Sequence, residues 1–210
     1  MSSISSVTAL PNAYGRWAIA AAGALGLATA MGIGRFAFTP LMPMMLHDGV
    51  VDLAGASWLA SANYLGYLLG AVLCTLQPWL WRRLGNPPPP NAAHMVQAGL
   101  IATTLLTLAM ALPWPALWPL LRFAAGVASA LVFVYLSGWC LTQLARRGHA
   151  ALGGMIYVGP GTGIMLSGLI AGAVVAAGGD ARAGWLVFGV LAAVLTACVR
   201  PVLWRGQLAA

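Results

Sequence analysis

A chain of 210 residues that is 61% hydrophobic and only 6% charged is not a soluble globular domain, in which about 25% of residues carry charge. Ten arginines face three aspartates, with no lysine or glutamate, for a formal charge of +7. The arginines stand in ones and twos rather than along a stripe, which argues against a nucleic-acid partner and for loop topology in an integral membrane protein.

A membrane-spanning helix needs about 20 mostly apolar residues. Six segments qualify, at about 17–46, 55–77, 95–113, 116–144, 150–177 and 183–203. Only helices and closed barrels satisfy the backbone in lipid, and period-2 alternation is absent, so the reading is an all-α integral membrane protein. Residues 17–204 form the membrane domain, between tails at 1–16 and 205–210. Arg16, the apolar run and "ATA" at 28–30 have some look of a secretory signal. The polar leader is long and five more apolar segments follow, so the first segment is read as a span that is kept.

The first span contains "MGIGRFAFTPLMP", residues 31–43, with Arg35 in an otherwise apolar stretch. Counted along a helix from Trp17, Arg35 lies at ~27 Å, in the outer part of a ~30 Å hydrocarbon core. The second span carries "SANYLGYLLG", residues 61–70. Its Asn63 is read as an interhelical hydrogen bond ahead of a ligand contact, and Gly66 and Gly70 as a close-packing pair. "NPPPPN", residues 86–91, is a stiff, extended cytoplasmic connector.

The fourth span opens "LLRFAAGVASA". Arg122 there can snorkel to the outer interface or face the bundle interior, the usual choice for an intramembrane charge. Gly126 and Ala130 follow it at one-turn intervals. Two arginines at similar depth in different helices can converge on an anion, for which guanidinium is a planar fork of donors. They can equally be structural locks, bonding backbone carbonyls or Asp48 and Asp52. Both readings stand at this stage.

The fifth span, "GGMIYVGPGTGIMLSGLIAG", holds seven glycines between residues 153 and 172. Gly159 with Gly163, and Gly168 with Gly172, are spaced for close helix approach, and Pro160 favours a kink. That composition suits a helix in a bundle that rocks and seals, or one that is simply packed tightly.

Orientation follows from the loops. Arg16, Arg82, Arg83, Arg146, Arg147, Arg200 and Arg205 fall on one side of six alternating helices; Asp48, Asp52, Asp180 and a single Arg182 fall on the other. Both termini are therefore expected in the cytoplasm. Trp17, Trp58, Trp79, Trp81, Trp114, Trp118, Trp185 and Trp204 sit near span ends, as an aromatic belt does. Enzyme chemistry is not indicated: no catalytic residues, metal ligands or cofactors stand out, and His47, His94 and His149 lie at loops. Cys74, Cys140 and Cys198 read as buried small hydrophobes.

These residues resemble the amino-terminal half of a major facilitator superfamily transporter. Arg122 and Gly126 match its helix 4 "RxxxG" signature. Gly154, Gly159, Pro160 and Gly163 resemble the helix 5 motif of its antiporters. "GIGRFAFTP" and "WLASANYLGYLLG" resemble the YbfB/YjiJ-type branch, bacterial permeases. The loop between helices 2 and 3 departs from the superfamily's "GxxxDRxGR": Pro78, Arg82 and Asn86 stand where its first glycine, aspartate and last basic residue would be, so its gating charge pair is not read here.

The resemblance implies a half of the major facilitator fold, six helices as a 3+3 inverted repeat, in a bacterial inner (plasma) membrane. It implies secondary transport of a small molecule by alternating access, with efflux or antiport of an anionic or polar organic solute. Arg35, Arg122, Asn63 and Tyr157 are the expected substrate-binding or gate residues; Gly66, Gly70, Gly126, Gly154, Gly159, Pro160 and Gly163 are the expected packing and kink residues. Transporters of this kind have two six-helix halves with the substrate between them. The competing expectation is a truncated or split half without transport activity of its own, whose partner is a second six-helix half or another copy.

Overall fold

The computed structural model describes residues 15–85, 87–88 and 90–208. Most of the expected amino-terminal tail (1–14), Asn86 and Pro89 of the connector, and residues 209–210 lie outside the described residues. Six helical spans are long and apolar enough to cross a membrane, and no strand occurs among the described residues.

The first span is not one helix. It comprises α1 (Arg16–Leu27), a π-helical stretch (Ala28–Ile33), a non-helical turn at 34–37, and α2 (Phe38–His47). Its composition explains the break. Gly32 and Gly34 are poor helix formers. The Thr29 hydroxyl donates back to the Leu25 carbonyl at 2.9 Å, which loosens a helix. Pro40 and Pro43 lack the N–H that would continue the ladder. The backbone therefore changes bonding pattern: Phe36 N–H donates to Met31, and Thr39 N–H to Phe36.

The second span, α3 (Leu53–Arg83), starts where the Asp52 carboxylate accepts the Gly55 N–H at 2.7 Å, a standard N-cap. It runs six residues past 77, through Pro78, so Trp79 and Arg83 lie on it; the Arg83 guanidinium stacks over the Trp79 ring at 5.3 Å. The third is α4 (Ala92–Ala109), capped by Asn91. A 3-10 turn (Pro115–Leu117) leads into α5 (Trp118–Arg146). The fifth span joins a 3-10 stretch (Ala150–Tyr157) to α6 (Val158–Ala176). The sixth is α7 (Ala181–Leu208).

Two parallel crossings organise the bundle. Along α3 the buried residues are Ala56, Leu59, Asn63, Gly66 and Gly70, a 3–4 spacing that keeps one narrow stripe against α5. A methyl on Gly66 would fall on the Phe123 carbonyl, and one on Gly126 on the Asn63 carbonyl, so here the two backbones touch. The first and fifth spans cross in the same way: a methyl on Gly159 would fall on the Ala24 carbonyl, and Gly32 and Gly163 face each other Cα to Cα. Exchanging spans 1–3 with spans 4–6 turns one crossing into the other, as an inverted repeat requires.

The apolar core is split. One cluster, including Leu41, Met45, Trp118, Trp185 and Phe188, fills the end near His47. The other, including Ile19, Leu27, Val96, Leu136 and Leu203, fills the opposite end. Buried polar residues, among them Thr29, Asn63, Thr103, Arg122, Ser129 and Ser167, lie at the level of the break. Trp118 and Trp185 are core residues and not belt residues; the belt reading fits Trp17, Trp58, Trp79, Trp114 and Trp204, which are half exposed or more. Of the cysteines only Cys140 is fully buried, and Cys198 is exposed on the outer face of α7.

Charges segregate by end. Arg16 and His149, at the start of the first span and after the fourth, share a hydrogen bond at 3.2 Å. At the other end the Asp48 carboxylate accepts the Ala181 N–H at 2.7 Å, and Asp180 accepts the Ala183 N–H at 2.7 Å.

Candidate functional site

A broken helix leaves carbonyls that the backbone does not satisfy, and in lipid each must find a partner. The break in the first span finds them on neighbouring helices. The Ser129 hydroxyl of α5 lies 2.8 Å from the Ala30 carbonyl and 2.7 Å from the Ala125 carbonyl of its own helix, and the Ser167 hydroxyl of α6 lies 3.1 Å from the Gly32 carbonyl and 2.8 Å from the Gly163 carbonyl, so each proton is shared between the break and its own helix. Arg122 of α5 donates from Nη1 to the Gly34 carbonyl at 3.2 Å and from Nη2 to the Arg35 carbonyl at 3.0 Å. Its side chain is 3% exposed and packs over the Phe38 ring at 4.9 Å. A cation at carbonyls ending a helical segment is also favoured by the segment's dipole.

Arg122 therefore faces the interior, and two of its three nitrogens hold the break. Asn63 supports it from α3, its amide donating to the Arg122 carbonyl at 2.8 Å while being 1% exposed. The small-residue stripe is what makes this bond reachable, because Gly66 and Gly126 bring α3 and α5 into backbone contact.

Arg35 sits in the turn itself, partly buried. Its guanidinium lies 4.0 Å from the centroid of Tyr67, 5.1 Å from Tyr64 and 5.2 Å from Phe36. Among the described residues it has no carboxylate partner, and its Nε is buried without an acceptor. Asp48 and Asp52, weighed as partners for the arginines, serve instead as caps at the acidic end. A cleft of about 100 Å³ opens between α2 and α3, lined by Arg35, Phe38, Met42, Asn63, Tyr64 and Arg122 among others. Rings around a guanidinium stabilise it by cation–π attraction of about 0.5–2 kcal/mol but do not neutralise it.

The structure thus brings together Arg35, Arg122 and Asn63. Tyr157 stands apart: it is 44% exposed and packs against Phe133 at 6.1 Å. Gly66, Gly70, Gly126, Gly159 and Gly163 lie in helix crossings, and Pro160 follows Gly159 at the start of α6, whereas Gly154 has no neighbour within 4 Å of a would-be Cβ. Gly168 and Gly172 likewise face outward with nothing against them. Tyr67, Ser129 and Ser167 complete the arrangement and are not singled out by the sequence reading. Helical spacing carried a signal for two of them: Tyr67 is one turn from Asn63, and Ser129 two turns from Arg122.

A larger cavity, about 590 Å³, lies at the acidic end and is lined by Asp48, Trp118, Asp180, Arg182 and Trp185 among others. Both of its aspartates are already used as backbone caps. Among the described residues no group of histidine, cysteine or carboxylate side chains is placed to hold a metal.

A family model described as "Uncharacterised MFS-type transporter YbfB" matches residues 27–210. No curated protein matches the chain, and no solved structure does.

Proposed function

The chain belongs to the YbfB-type family of major facilitator transporters, and we propose that it moves a small anionic organic solute by alternating access, with Arg35 as the group that meets the solute. A multi-pass membrane protein of a transporter family is the premise; the solute class and the site are our reading. One observation carries it. The Arg35 guanidinium lines a cleft at membrane depth with aromatic rings around it and no anion among the described residues. A charge so placed costs at least ~2.5 kcal/mol, which an anionic solute would offset on binding.

The two arginines then divide the work. Arg122 pins the carbonyls of the broken helix, with Asn63 steadying it, and Arg35 recruits the solute. The turn at 34–37 is a natural pivot, because the backbone bonds that join α1 to α2 change register there, from i→i−5 at Gly34 and Phe36 to i→i−4 at Ala37 and i→i−3 at Thr39. Solute drawn to Arg35 pulls on that turn, and Arg122 reads the movement through the Arg35 carbonyl. The glycine crossings supply smooth faces on which spans can tilt. We read Tyr157 as a gate residue on the basic half of the bundle, with both termini cytoplasmic and the membrane a bacterial inner membrane, in keeping with the arginine-rich end.

A second reading concerns the whole assembly. The apolar windows of the second and fifth spans are each only 22% buried, against 67% for the first. That favours a bundle whose exposed flank meets a second six-helix unit, with the cleft as one wall of a shared cavity and no transport by a lone bundle. Proteoliposome uptake tests both. Arg35-dependent uptake of organic anions supports the first reading. Binding without uptake, converted to uptake by a co-expressed second half, supports the second. Uptake unchanged in Arg35→Gln refutes the role given to Arg35.

A further inference from the structure

We propose that the cleft selects a monocarboxylate with a short apolar body, in preference to dianions, phosphoryl groups and amino acids. This rests on Arg35 as the solute contact and deepens that reading.

Charge arithmetic comes first. Of the two guanidinium groups lining the cleft, Arg122 is committed to the Gly34 and Arg35 carbonyls through both terminal nitrogens. Two of its five N–H groups are used in this way, and because the side chain is only 3% exposed the other three, the unpartnered Nε–H among them, are turned into the protein. Arg35 is the one guanidinium in the cleft with its terminal nitrogens uncommitted. Arg35 alone turns an open fork of donors to a ligand, so a second anionic group on the ligand would find no donors of its own and would stay desolvated at membrane depth. A carboxylate has two coplanar acceptor oxygens, which suits a guanidinium fork.

The surroundings narrow the class further. Phe38, Met42, Ala60 and Tyr64 supply most of the remainder, with Thr39 and the Asn63 amide, the latter already bonded to the Arg122 carbonyl, as its other polar groups, so the body beyond the carboxylate meets mainly carbon. A cavity of ~150 Å³ takes up benzene, and the cleft, at about 100 Å³, suits a chain of a few carbons, with anything larger projecting from its mouth. No aspartate lines the cleft. An α-ammonium group would find two arginines and no counter-charge, so zwitterionic amino acids are excluded by repulsion and desolvation.

The test is calorimetric titration of the purified chain in lipid nanodiscs with straight-chain carboxylates from acetate to hexanoate. Succinate, butylphosphonate, 2-aminobutyrate and butyramide are the comparison set. Expected is saturable binding of butyrate or a neighbour, at least about tenfold tighter than any comparison compound, and lost in Arg35→Gln. Met42→Trp, which fills the cleft and leaves both arginines, should abolish binding while the protein still melts in a single cooperative transition. This second variant decides the matter should Arg35→Gln fail to fold.

Tighter Arg35-dependent binding of succinate, the phosphonate or the amino acid overturns the monocarboxylate assignment and leaves Arg35 as an anion contact. Absence of binding by every anion, or binding indifferent to both variants, overturns the assignment and the Arg35 reading together.

Discussion

Gly126→Ala isolates the packing on which the site depends. The added methyl would land on the Asn63 carbonyl oxygen and close to the Tyr67 nitrogen. Both are backbone atoms in the middle of a helix and cannot rotate away. Carbon and oxygen approach to about 3.3 Å at the closest, so α3 and α5 must part by roughly 1 Å. The Asn63 amide, now 2.8 Å from the Arg122 carbonyl, would then stand beyond hydrogen-bond range. Two costs add: overpacking of about 1–3 kcal/mol, and the lost bond, about 0.6 kcal/mol on average for interhelical bonds in membranes. The expected loss is about 1.5–3.5 kcal/mol, measured by reversible unfolding in mixed micelles. A double-mutant cycle with Asn63→Ala separates the two terms. Asn63→Ala should cost less in the Gly126→Ala background, because the bond is already gone. A Gly126→Ala protein within about 0.5 kcal/mol of wild type, or strict additivity in the cycle, would refute the account.

Arg122→Met should destabilise by about 2 kcal/mol: two charge-assisted hydrogen bonds at about 1.5–3 kcal/mol each are lost, offset by at least ~2.5 kcal/mol from no longer burying a cation. Faster hydrogen exchange confined to residues near the 34–37 turn is the accompanying signature, and unchanged protection there would count against the pin. Gly163→Ala, which sets a methyl against Gly32 and Ala28, should lower the melting temperature, whereas Gly168→Ala and Gly172→Ala, with open space around them, should leave it unchanged or raise it. Equal effects at the three positions would mean the first and fifth spans do not cross as described. Tyr67→Leu should weaken anion binding by loosening Arg35 without altering the oligomeric state; undiminished binding would remove Tyr67 from the site. A reporter fused at residue 210 should be active only as a cytoplasmic fusion, and periplasmic activity would invert the proposed orientation.

Much of the architecture was legible in the linear chain. Hydropathy alone marked six spans, because a helix in lipid bonds within itself and needs no partner to satisfy its backbone. Small-residue spacing marked Gly66, Gly70, Gly126, Gly159 and Gly163 as crossing points, since helical periodicity fixes which residues share a face. The same spacing also marked Gly168 and Gly172, which face outward; periodicity defines a stripe but not what lies opposite it. Span length likewise placed Trp118 and Trp185 at helix ends, and only packing against Phe38 and its neighbours put them in the core.

The site belongs to tertiary structure more fully. "GIGRFAFTP", with Thr29 before it and Pro43 after it, contains the weaknesses that break the first span, yet nothing local says where the freed carbonyls turn. Their partners come from Ser129, Ser167 and Arg122, 87 to 135 residues along the chain. Two arginines that looked alike in sequence therefore part company on folding. Arg122 is turned onto backbone oxygens, and Arg35 is left among rings with its donor fork open. Helix formation in a membrane is a local contract between neighbouring peptide groups, whereas the satisfaction of a broken helix, and hence the identity of the free cation, is settled only when distant helices close around it.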